Sequence, residues 1–266
     1  MRGLGGWACV PSEHSCIYEP DKEICMACQV FGTTGWRRRF RIEVEPAGDS
    51  AWQENIINVR PPGRSRGWFL GPGYTGALRI ILTGDAQVLG KMLAVFRFLE
   101  EWGSIGAKPQ LGYGCFKITA ITWDGVKQED SQFELHPYRD AREPEALPDL
   151  RTFTFFKLRF SPPTRSDWWT QIPGIRELRS QRDRWSTVER LAIQGMVPTA
   201  PVLKNTLRFG REWSSPTVPR WLFGTLRKDA RVRSKISTSW AYRDGNDWEI
   251  RGWVYIPADA TGRYAR

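Results

Sequence analysis

Gly103-Ser104-Ile105-Gly106-Ala107-Lys108-Pro109-Gln110-Leu111-Gly112-Tyr113-Gly114-Cys115-Phe116 sets four glycines in fourteen residues between two periodic segments. Upstream of it, Val88, Met92, Val95, Phe96, Leu99 and Trp102 recur at three- and four-residue steps. That spacing predicts a helix over 87–102, with Asp85 as its cap. Downstream, 116–123 reads as a strand. The glycines let backbone N–H groups approach phosphates, Lys108 supplies charge and Tyr113 a stacking face. A glycine-rich turn without a ligand is the competing reading. Two known phosphate cradles are excluded. The chain has no G-K-[ST], and its element order is helix then strand, whereas the P-loop and the dinucleotide fingerprint run from strand to helix.

Towards the N-terminus, 76–83 reads as a strand, and 60–73, rich in Pro, Gly and Arg, as an exposed loop. Phe40, Ile42 and Val44 alternate with Arg41 and Glu43, as on a strand with one buried face. Residues 1–28 show little periodicity and hold four of the five cysteines. Cys25-Met26-Ala27-Cys28 offers two sulfurs from one tight turn, with Cys9, Cys16 and His14 upstream. Cys9, Cys16, Cys25 and Cys28 are the expected ligands of a structural zinc site, and His14 competes with Cys16 for the fourth position. Ordinary buried or free thiols are the alternative. Cys115 reads as packing.

Towards the C-terminus, 130–150 has the composition of a linker, with prolines at 137, 144 and 148. A second block follows: a strand over 152–160, a helix over about 186–194, and two strands around Arg243-Asp244-Gly245-Asn246-Asp247, whose Asp-Gly step suits a hairpin. The expected organisation is a first module over 1–129, a linker over 130–150 and a second module over 151–266. Both modules read as α+β with antiparallel sheets. One internal echo links them: Val30-Phe31-Gly32-Thr33 ahead of Arg37-Arg38-Arg39, and Leu222-Phe223-Gly224-Thr225 ahead of Arg227-Lys228.

The 266 residues carry 39 Lys+Arg against 29 Asp+Glu, a formal charge of +10 that favours polyanionic partners. Three clusters set arginine beside an aromatic ring: Trp36 to Phe40, Arg64-Ser65-Arg66-Gly67-Trp68, and Arg182-Asp183-Arg184-Trp185. Such pairs clamp phosphates and stack bases on single strands. No apolar run approaches the roughly 20 residues needed to cross a bilayer, and no signal-peptide core opens the chain. A cytoplasmic protein with reduced cysteines is expected.

Helix, then G-x-I-G-A-K-x-x-x-G-Y-G-x-F, then strand resembles the glycine-rich motif of the RAMP superfamily, the repeat-associated proteins of CRISPR effector complexes. The run from Cys25 to Gly35 is similar to that family's segment ahead of a basic strand. The combination resembles most the type III-B (Cmr-type) members that carry two ferredoxin-like modules in one chain. This implies an RNA-binding subunit, contacting guide RNA near its 3′ end and neighbouring RAMP subunits, with target RNA a further candidate. The family's opening strand and helix do not precede the cysteine segment here, so an incomplete first module, or one completed by a neighbour, is expected. The RNA-contact residues expected on this basis are Arg37, Arg38, Arg39, Arg64, Arg66, Gly106, Lys108, Gly112, Tyr113, Gly114, Arg227, Lys228 and Arg231. No catalytic residue is expected. Three alternatives stay open: an endoribonuclease processing the guide precursor through Tyr74, Lys108 or Tyr113, a zinc-stabilised assembly protein without RNA contact, and a DNA-binding regulator, disfavoured because no helix-turn-helix pattern appears.

Overall fold

The computed structural model describes residues 16–53, 57–59, 68–70, 73–106, 109–128, 153–162, 167–209, 217–227, 230–232 and 234–255. The expected linker, Cys9, His14, Arg64, Arg66, Lys108 and Lys228 lie outside them. Helix α1 (Met26–Phe31) is followed by strands β1 (Phe40–Gln53), β2 (Ile57–Val59), β3 (Trp68–Leu70) and β4 (Gly73–Gly84). Helix α2 (Ala86–Trp102), strands β5 (Ile121–Trp123) and β6 (Val126–Gln128), and strand β7 (Phe153–Phe160) come next. Then come α3 (Arg182–Ile193), β8 (Met196–Val197), α4 (Ala200–Phe209) and α5 (Thr217–Phe223). The described chain ends with β9 (Thr225–Arg227), β10 (Ala230–Val232), β11 (Ile236–Thr238), β12 (Ala241–Asp244) and β13 (Asp247–Tyr255). The fold is mixed α and β with antiparallel pairing.

The chain divides into two compact units, and the division cuts across sequence order. One unit holds 1–50, 76–101 and 117–153, the other 51–75, 102–116 and 154–266. In the first, β1 pairs with β4 and α2 supplies the apolar face. Val88 and Met92 of α2 pack with Val30 and Phe40. Asp85 Oδ1 accepts from the amides of Gln87 and Val88 at 3.0 and 3.3 Å, so it caps α2 as its sequence position predicts. Of the expected inward set on β1, only Phe40 is buried, and Ile42 and Val44 are exposed. Period-two alternation shows which side chains share a face, not whether anything covers it.

Two further expectations are corrected. The strand expected over 116–123 survives only as β5, paired with β6 around Asp124 and Gly125, both at positive φ. Upstream of β5, the Ile118 amide goes to Glu100 Oε1 at 2.6 Å, so a side chain takes the place of a ladder partner. Within 60–73, Trp68–Leu70 is a strand paired to Ile57–Val59, not loop. A Trp-Phe-Leu run suits a pleated ribbon better than a solvated turn.

The second unit is built on a five-stranded sheet in which β13 pairs with β11, β12 and β7, and β12 pairs with β8. Asp244 faces Asp247 across the predicted hairpin turn. Val188, Leu191 and Ala192 of α3 pack with Trp169, Val197, Trp240 and Trp248 in its core. Between β11 and β12 the ladder is broken at Ser239-Trp240. There the Ser239 amide bonds the Arg251 carbonyl at 2.7 Å, while Ser239 Oγ accepts from the Arg251 amide at 2.9 Å. An interruption of this kind re-aims a side chain. Trp240 turns into the core.

Candidate functional site

Cys16, Cys25 and Cys28 come together, and local chemistry explains why. Cys25 caps α1, its Sγ accepting from the Cys28 amide at 3.4 Å. Gly32, at φ 89°, ends the helix. The chain then turns back through Thr33–Trp36, and Tyr18 N–H bonds the Thr34 carbonyl at 2.9 Å while Thr33 Oγ1 donates to the Cys16 carbonyl. These bonds bring Cys16 beside the C-x-x-C turn. The three sulfurs lie within 4.8 Å of one another. A tetrahedral thiolate site draws its sulfurs to roughly 3.8 Å apart, so closing on an ion needs only a small contraction. Burial raises the Cys16 thiol above its ordinary value, against a hydrogen bond from the Cys25 backbone that lowers it. An ion bound here would displace protons as it bound. The donor set fits a metal ion. Ile24, Ala27 and Trp36 pack around it.

Directly after this knuckle, Arg37, Arg38 and Arg39 are exposed. Trp36 itself is engaged: its Nε1–H donates to the Gln29 carbonyl at 3.2 Å, Tyr18 packs against it and the Arg39 guanidinium lies 4.7 Å above it. Trp185, in another of the arginine–aromatic clusters, is likewise used internally. It packs on Trp169 and lies under Arg179. The internal echo turns out to be a shared helix ending, since Phe31 and Phe223 each close a helix and Gly32 and Gly224 follow at positive φ. Arg227 and Arg231 sit on the β9–β10 ribbon, in register with Ala230 and Leu226.

The glycine-rich segment uses its glycines in two ways. Gly112 and Gly114 are packing residues. A Cβ on Gly112 would come within 2.6 Å of Trp240 Cδ1, and one on Gly114 within 1.8 Å of the Ile105 carbonyl oxygen. Gly106 is different: it is exposed, at φ 87°, with no atom within 4 Å of a Cβ placed there. Tyr113 packs against Trp240 at 5.1 Å between centroids. Trp240 Nε1–H donates to the Leu111 carbonyl at 2.9 Å, and Arg251 Nη2 to the Phe116 carbonyl at 3.2 Å. Inner residues of the segment are thus anchored to the second unit's core, and Gly106, Pro109 and Gln110 stay exposed.

The profile of the RAMP superfamily matches residues 2–117, from ahead of the knuckle to the end of the glycine-rich segment. This stretch, less than half of the chain, is similar to the RAMP superfamily. A solved structure described as the apo crystal structure of Cmr1 from Pyrococcus furiosus is similar over 88% of this chain and 71% of its own, at 16% identity and a TM-score of 0.45. No curated protein matches. Among the described residues, no helix is long and apolar enough to cross a membrane.

One residue outside the RAMP stretch escaped the sequence reading. Lys204 of α4 is only 8% exposed, and its ammonium donates to the Gln110 carbonyl at 2.7 Å. The available signal was a lysine inside Ala200-Pro201-Val202-Leu203-Lys204, where the neighbours are apolar. Burial lowers its pKa from 10.5 to about 8. Below pH 8 both folded and unfolded chains hold the proton, and the folded chain bears the full cost of burying it. Between about 8 and 10.5 the folded chain has released a proton that the unfolded chain keeps, so stability rises with pH through that window. Lys204→Met is therefore expected to stabilise the protein at pH 7 by about 1–3 kcal/mol. The gain should shrink towards zero by about pH 10.5, as read by urea unfolding across the range.

Proposed function

We propose that this chain is an RNA-binding, non-catalytic subunit of a type III-B CRISPR effector ribonucleoprotein, of the Cmr1 kind. Two modules, 1–129 and 151–266, are read as ferredoxin-like, and the N-terminal knuckle as a structural zinc site with Cys9 or His14 as fourth ligand. The observation that carries the reading is the join of two features in the RAMP stretch: the sulfur knuckle runs directly into an exposed arginine trio, Arg37 to Arg39. Three sulfur donors suit zinc among the common structural metals. The trio would neutralise phosphates without reading bases, which suits a subunit that must accept guide RNAs of any sequence. Neighbouring RAMP subunits would be its protein partners. The chain holds only two histidines, His14 and His136, which favours a binder over a general acid–base ribonuclease.

The test is the salt dependence of binding to a guide-length single-stranded RNA. Wild-type affinity should fall steeply as salt rises. Replacing Arg37, Arg38 and Arg39 together by alanine should flatten the log–log slope by about 2–3 and weaken binding by roughly two decades near 0.1 M salt. A flat wild-type response would rule out phosphate contact. Cleavage of repeat RNA by the purified chain would turn the reading towards the ribonuclease alternative.

A further inference from the structure

In the second unit a short 3-10 helix, Arg176–Ser180, leads into α3. Its amides reach back three residues, from Leu178 to the Ile175 carbonyl at 3.0 Å and from Gln181 to the Leu178 carbonyl at 2.8 Å. At three residues per turn, side chains three apart stand on one edge. Ile175 and Leu178 are 0% and 2% exposed, so theirs is the buried edge. Arg176 and Arg179 share a second edge, and both are exposed. One turn rises about 6 Å, of the same order as the step between successive phosphates of a single strand. Arg182, also exposed, follows three residues further on as the first residue of α3.

Internal partners hold this ridge in place. The Arg179 guanidinium lies 5.2 Å from the Trp185 ring centre, and Trp185 packs on the buried Trp169. Stacking occupies a face of the guanidinium and leaves its in-plane N–H donors to an anion. Glu177, on the third edge, is engaged as well. One of its carboxylate oxygens accepts from the Gly174 amide, and the other lies 3.5 Å from Arg176 Nη2. Over 176–184 four arginines stand against two acids, so the surface keeps a net positive charge. Like charges one turn apart repel, and the row costs stability until an anion lies along it.

We propose that Arg176, Arg179 and Arg182 form a phosphate-binding ridge for single-stranded RNA, with Trp185 orienting the Arg179 guanidinium. This rests on the reading of the chain as an RNA binder, and it gives the second unit a contact of its own.

The experiment measures binding of the full chain to a fluorescein-labelled, mixed-sequence single-stranded RNA over a range of salt, with urea unfolding of each variant in parallel. Replacing Arg176, Arg179 and Arg182 together by glutamine should weaken binding by at least about tenfold and flatten the log–log slope by about 2, at roughly 0.7 per phosphate. A control that replaces the exposed first-unit lysines Lys22, Lys117 and Lys127 by glutamine removes the same charge and should stay within about threefold of wild type. Arg179→Lys keeps the charge but loses the stacked plane, and should weaken binding about threefold with little change of slope. A triple arginine variant that binds no more weakly than the lysine control overturns the proposal and leaves the RNA-binding reading standing. Arg179→Lys at wild-type affinity overturns the role given to Trp185. If the triple variant does not fold, Arg182→Gln alone decides: its slope should flatten by about 0.7, and an unchanged slope overturns the ridge. Absence of wild-type binding removes the reading itself, and the ridge with it.

Discussion

Cys25→Ala should abolish metal binding and destabilise the first unit by several kcal/mol, on the order of 4 or more. Three losses coincide at this residue. Its side chain is fully buried, it caps α1 through the Cys28 amide, and its sulfur is one of the three that cluster. The small core around Ile24, Cys25 and Cys28 offers little apolar area to replace a metal, so an ion bound there would carry most of the local folding free energy. Cys25→Ser separates the effects, because a hydroxyl can still accept at the cap while being a poor zinc ligand. Elemental analysis should find about one zinc per wild-type chain and none in either variant. A chelator should lower the wild-type Tm to near that of Cys25→Ser. Zinc-free wild-type protein, equally stable with and without chelator, would leave the cysteines as ordinary thiols.

Gly114→Ala should be nearly as damaging, at roughly 3–5 kcal/mol. Its φ of 79° is unfavourable for any L side chain, and the new Cβ would overlap the Ile105 carbonyl oxygen at 1.8 Å. The close approach has a cause: the Ile105 amide bonds the Gly114 carbonyl at 2.9 Å, which draws the two ends of the segment together. Gly112→Ala meets Trp240 Cδ1 and Ala200 Cβ at 2.6–2.7 Å and the Trp240 backbone nitrogen at 2.9 Å, all less severe than the Gly114 overlap, and should cost somewhat less. Gly106→Ala has open space and should cost only the backbone strain, about 1 kcal/mol. Urea unfolding of the three variants should give that order. A Gly114→Ala protein as stable as Gly106→Ala would contradict the packing described above.

These variants also show which parts of the glycine-rich motif were legible in advance. Glycine spacing identified the segment and the elements on either side of it. It did not separate Gly106 from Gly112 and Gly114, because a glycine with open space beside it and one that admits a neighbouring tryptophan look alike in sequence. Arginine–aromatic pairs behaved similarly. Trp36 and Trp185 are held by internal partners, while Arg37 to Arg39 remain on the surface. The order of residues brings arginine and ring together but does not say which of the two faces water.

What the sequence determined by itself was local and periodic. The α2 helix and its Asp85 cap, the β12–β13 hairpin and the C-x-x-C turn depend on residues a few positions apart, where backbone geometry and hydrogen bonding act without the rest of the chain. Tertiary structure alone decided three other things. It placed Cys16 beside Cys25, set 102–116 in the second unit, and slid the ammonium of Lys204 under a carbonyl 94 residues away. Each depends on which surfaces are buried against each other, and burial sums contacts between residues far apart in the chain, which leave no periodic trace.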